Sequence, residues 1–100
     1  MLVLTGTLRL PPENRDAFRP VMDAMLSASR AEPGCISYAY AWDVQDEGLV
    51  HVAERWRDRA ALDEHFGTPH LAKWREEGAR LGTYDRNLTI FEVVGEGERL

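Results

Sequence analysis

Apolar residues return at every second position over residues 2–10, 35–42, 49–56 and 84–94, and at helical spacing between them. The order reads strand, helix, strand, strand, helix, strand. In the first stretch Leu2, Leu4, Leu8 and Leu10 share one face against Val3, Thr5, Thr7 and Arg9. Gly6 interrupts the leucine face, where a bulge or a close approach by another group is expected. Pro11 and Pro12 end the strand and open a helix, with Glu13 favoured in its first turn. Phe18, Val21, Met22, Met25 and Leu26 form the apolar stripe of that helix. Pro20 removes one backbone hydrogen bond, so a kink is expected near Asp16. Glu32, Pro33 and Gly34 stop the helix.

The second strand sets Ile36, Tyr38, Tyr40 and Trp42 on a bulky face against Cys35, Ser37, Ala39 and Ala41. A polar turn over residues 43–48 makes a hairpin with the third strand, in which Val50, Val52 and Trp56 oppose Leu49 and Ala53. Asp58 then stands as N-cap of a short helix carrying Ala61, Leu62, His65 and Phe66, and Gly67 stops it. Thr68 caps and Pro69 opens the next helix, whose inner side holds Leu71, Trp74, Gly78 and Leu81 and which Gly82 ends. The last strand, over residues 84–94, places Leu88, Ile90 and Val94 against Phe91 and Val93.

This order predicts an α+β chain, the ferredoxin-like split βαβ arrangement with one antiparallel sheet and both helical units on one face. One domain over residues 1–95 and a short tail over 96–100 are expected. The other sheet face carries Leu49, Ala39, Ala41, Phe91 and Val93, where a solvated face would be mostly polar. The economical cover is a second copy, giving a homodimer through the sheet face and a dimeric α/β barrel. His51 lies on that side and is excluded from catalysis.

At 100 residues, with 44% apolar and 29% charged residues, the chain can bury one modest core. A net charge of −5, with arginines interleaved among acids, points away from nucleic acid. The first residues lack the charged start of a signal peptide, and no run is long enough to span a bilayer. The single Cys35 forms no internal disulfide and has no adjacent base to make it a nucleophile, and a cytoplasmic setting is expected.

The residues from Glu54 to Trp74 hold two Trp and two His beside helix ends, which makes them the candidate pocket. A helix terminus separates His65 from His70, so the i, i+4 geometry of a helical zinc pair is lacking and no metal is expected. His65 has the pKa range of a general base, although its place in the last helical turn favours the imidazolium. Each of these side chains has an ordinary core reading as well.

The segments GTLRLPPENR, ASRAEPGCISY and VAERWRDRAALDEHFGTPHLAKW resemble the antibiotic biosynthesis monooxygenase family over nearly the whole chain. Its most specific parts are Glu-Pro-Gly-Cys, the pair Glu54 and Trp56, and His65 followed by Thr68, Pro69 and His70. The resemblance implies a dimeric α+β barrel and oxygenation of a small electron-rich aromatic or quinol without metal, flavin or other cofactor. Other members isomerise small phosphosugars or degrade haem. Haem degradation is not expected, because the first strand has no Asn, and by spacing from Trp56 His65 takes the place of the needed Trp and Arg75 that of the iron-binding His. Under this reading His65 and Trp56 are the catalytic residues, and Tyr38, Phe66, His70 and Trp74 line the substrate. An isomerase or lyase acting on a small carbonyl compound and a non-catalytic binding module are the alternatives.

Overall fold

A computed structural model describes residues 1–100. Strands β1 (Leu2–Arg9), β2 (Cys35–Trp42), β3 (Leu49–Trp56) and β4 (Tyr84–Glu92) form one antiparallel sheet in the order β2-β3-β1-β4. Helices α1 (Arg15–Arg30), α2 (Arg59–Phe66) and α3 (Pro69–Leu81) lie against one face of that sheet. This is the ferredoxin-like fold the alternation predicts, with the leucines of β1 turned toward the helices beside Val50, Val52 and Trp56.

The caps follow the sequence closely. The Asp58 carboxylate accepts from Ala61 N at 2.9 Å, and the Thr68 hydroxyl accepts from Leu71 N at 3.4 Å. The same hydroxyl donates to the carbonyl of His65 at 2.7 Å, which ties the end of α2 to the start of α3. Gly82 takes the left-handed conformation that closes α3, at φ 96°.

Four details differ from the sequence reading. The prolines begin a 3₁₀ turn, Pro12–Asn14, and the α-helix proper starts only at Arg15. It ends at Arg30, before Glu32, while Pro20 lies inside it as the sequence reading has it, on the exposed side. The register of β2 against β3 shifts between Cys35 and Ser37, so Ile36 is an extra residue, 49% exposed, while Cys35 packs against the core. A bulge of this kind moves every residue before it to the opposite face, which is why alternation alone placed Ile36 inward. Finally, β4 ends at Glu92 and is an exposed edge strand on which Leu88 alone packs against the core.

Gly6 has a strict reason to be glycine. At φ 150°, a Cβ there would lie 1.9 Å from the carbonyl oxygen of Asn87 on β4. The open face of the sheet carries the half-exposed Phe91, and there His51 pairs with Asp43 at 2.8 Å. No helix is long and apolar enough to cross a membrane.

Candidate active site

The site forms where the turn after α1, the centre of β2, the end of β3 and the junction of α2 with α3 meet. Asp58 starts α2 immediately after β3, and one face of this short helix is buried through Ala61, Leu62 and His65. A Cβ on Gly34 would lie 2.2 Å from the Cβ of Ala61, so the missing side chain lets α2 settle on the turn that carries Glu32. His65 is 1% exposed and has a partner on each ring nitrogen. Its Nδ1 lies 2.6 Å from Oε2 of Glu32, and its Nε2 lies 3.3 Å from the hydroxyl of Tyr38. A carboxylate can only accept, so Nδ1 carries the proton and the lone pair of Nε2 faces Tyr38.

His70 donates from Nε2 to the same Glu32 oxygen at 2.9 Å. The break at Gly67 therefore separates the two histidines in sequence and brings them together in space. The donor atoms of Glu32, His65 and His70 all lie within 4.8 Å of one another. A His₂Glu set is one that zinc accepts. Here, hydrogen bonds among the three groups satisfy the same atoms.

A cavity of about 50 Å³ opens beside His65, lined by Leu4, Leu8, Tyr38, Tyr40, Glu54, Phe66, Leu71, Trp74 and Leu88, with Arg75 and Arg86 at its rim. Of the residues singled out from the sequence, Tyr38, His65, Phe66 and Trp74 line this space. Trp56 does not, and neither does His70. Trp56 is fully buried behind His65, their ring centroids 4.6 Å apart, and His70 opens instead on a separate hollow of about 260 Å³ between α1 and α3.

Burial governs the charges. It pushes the pKa of His65 down, against the opposing pull of Glu32, so the imidazole is held neutral at the pH where a base is useful. Burial likewise drives the Tyr38 phenol upward and that of Tyr40 to about 12. The Glu54 carboxyl, only 3% exposed, is pushed up to about 7 by burial, and the Trp56 indole N–H donating to it at 3.0 Å offsets only part of that.

Glu54 and Glu32 enter the sequence reading only through the family motifs and, for Glu32, the helix stop, and neither is given a role in the site there. Glu54 left a visible sign, a charged residue in phase with Val50, Val52 and Trp56 on the buried side of a strand, which is a costly place for a carboxylate.

The family model for antibiotic biosynthesis monooxygenase matches residues 1–77. The chain is 39% identical over 85 residues to "Putative monooxygenase Rv0793" of Mycobacterium tuberculosis, covering 85% of this chain and 83% of that protein. It is 32% identical over 93 residues to "Uncharacterized protein sll1783" of Synechocystis, covering 93% of this chain but only 63% of that protein's length. Among solved structures, one from Deinococcus radiodurans described as a "putative antibiotic biosynthesis monooxygenase" superposes with a TM-score of 0.89 at 25% identity, covering 100% of this chain and 98% of the other. The structure of Rv0793 gives 0.82 at 34% identity, covering 98% and 100%. By the family match and by these relatives, the chain belongs to the antibiotic biosynthesis monooxygenase family.

Proposed function

We propose that this protein is a monooxygenase that needs no metal or flavin and oxidises a small electron-rich aromatic or quinol with O₂. Such a substrate becomes an electron donor to O₂ once a base removes its proton. The observation that carries the reading is His65, with Nδ1 fixed on Glu32 and Nε2 aimed past Tyr38 at an apolar cavity. In this reading Glu32 keeps the imidazole in one tautomer and stabilises the imidazolium that forms, while His65 accepts the proton directly or through the Tyr38 hydroxyl. Phe66, Trp74 and Tyr40 supply aromatic walls. Trp56 and His70 act from behind, the one on Glu54 and the other on Glu32.

The cavity volume limits the substrate. A space of about 150 Å³ accommodates benzene, so about 50 Å³ requires the rim to move. Arg75, stacked 5.9 Å over Phe66, and Arg86 on the exposed edge strand form that rim. A homodimer through the open sheet face, bringing Phe91 and its neighbours out of water, and a reducing cytoplasmic setting for the lone Cys35 belong to the same reading.

The test is oxygen uptake with dihydroquinones, anthrones and related phenols in metal-free, flavin-free buffer. Turnover that disappears in His65→Ala is expected; a folded protein that consumes no oxygen across the panel would end the reading. The small, proton-handling cavity also favours an isomerase or lyase acting on a small carbonyl compound. That alternative predicts entry of solvent deuterium into the compound under nitrogen.

A further inference from the structure

Glu54 is a carboxyl placed where charge is most expensive, and none of the ion pairs in the molecule involves it. It stands on the sheet floor of the cavity, opposite Tyr38 on β2 and Leu4 on β1. Trp56, two residues along the same strand face, gives its only polar hydrogen to Oε1 of Glu54. A structural role does not require this arrangement, since an apolar side chain in register with Val52 would pack the floor without the cost of burying an acid. Burial keeps the acid protonated and nearby Glu32 adds to that, while the hydrogen bonds from Trp56 and Tyr38 pull the other way and offset only part of it. No cation neutralises it: His65 is held neutral, and the two arginines of the cavity, Arg75 and Arg86, stand at the rim and form no ion pair with it.

We propose that Glu54 is the acid of the site, the group that protonates the peroxide formed from substrate and O₂. This rests on the oxygenase reading above. For a substrate with an activated CH₂, His65 takes the first proton from carbon. The resulting anion passes one electron to O₂, and the substrate radical and superoxide combine to form the C–O bond of a peroxide anion. Glu54 gives its proton to the distal oxygen, making a hydroperoxide. The second carbon proton then returns to the Glu54 carboxylate while the O–O bond breaks, leaving a carbonyl. The departing hydroxide takes the proton held on His65 and leaves as water. Substrate and O₂ become ketone and water, and both side chains are restored to their starting states.

Without the acid, the only proton at the peroxide stage is the one on His65. If the peroxide takes it, none is left for the departing hydroxide, so the O–O bond is slow to break and reduced oxygen escapes. The test compares wild type, Glu54→Gln and Glu54→Asp with an anthrone as substrate. Oxygen consumed, ketone formed and hydrogen peroxide released are measured together across pH 5–9. Wild type is expected to form close to one ketone per O₂. Glu54→Gln is expected to form at least tenfold less ketone per O₂, with peroxide accounting for the difference, and Glu54→Asp to recover part of the coupling. Equal coupling in Glu54→Gln and wild type would overturn the proposal while leaving the oxygenase reading intact. Absence of oxygen uptake by wild type would remove that reading. In either case a ¹³C NMR titration of the Glu54 carboxyl gives a result that does not depend on turnover. A carboxyl already ionised at pH 5 cannot serve as the acid, and one still protonated at pH 6 can.

Discussion

Glu32 reaches His65 from the turn after α1, across 33 residues of sequence, and its Oε2 lies 2.6 Å from the imidazole Nδ1. In Glu32→Gln that contact loses its charge, and with it the main influence raising the pKa of His65. The imidazole is expected to titrate lower still, read from its ring-proton NMR shift. Turnover is expected to fall about 100-fold or more, the range lost with a positioned base. An unchanged His65 titration would show that Glu32 does not control the ring.

The opposed pKa shifts of Glu54 and His65 give stability a specific dependence on pH. Glu54 holds its proton to about 7 when folded but releases it near 4.5 otherwise, so between those values the folded chain binds more protons and stability falls as pH rises. His65 shifts downward from 6.5, so the unfolded chain binds more protons there, and stability falls as pH drops below that value. The two slopes oppose each other in wild type. Glu54→Gln removes the first, so relative to wild type it should gain on the order of 3 kcal/mol between pH 4 and pH 8. Urea denaturation across that range measures this, and parallel curves for the two proteins would contradict it.

Gly34 and Ala61 meet at the seat of α2, where an added Cβ would approach to 2.2 Å. Gly34→Ala should cost about 1–3 kcal/mol by overpacking. It should also lift α2, and with it His65, away from Glu32. Adding Ala61→Gly should restore much of the thermal midpoint and of the His65 titration. A double variant no better than the single one would mean that this contact is not what seats the helix.

The open sheet face makes a prediction about assembly. Sedimentation at micromolar concentration is expected to give twice the 11.4 kDa chain mass. Phe91→Asp, at a residue 51% exposed in the single chain, should shift that equilibrium toward the monomer. A wild-type monomer would contradict the proposed barrel.

The sequence shows the fold plainly because its signals are local. Asp58, Thr68 and Gly82 each cap a helix through atoms within a few residues, and the leucines of β1 announce their face by period alone. The site was only half legible, for two reasons. Glu32, His65 and His70 converge through a tertiary contact that no spacing encodes, and the hydrophobic pattern of β3 drew attention to Trp56 rather than to the acid two residues before it. Ile36 misled for a different reason: a bulge has no fixed residue signature, so the alternation through it looked uninterrupted.

That extra residue in β2 also constrains how the chain can change in length. Tyr38 and Glu32 grip opposite nitrogens of one imidazole, and the chain between them includes the inserted position. Removing a residue there would draw one partner along by about 3.4 Å, more than a hydrogen bond can stretch. Position 36 should therefore accept almost any side chain and no deletion. What it contributes is the length of the path between a phenol and a carboxylate.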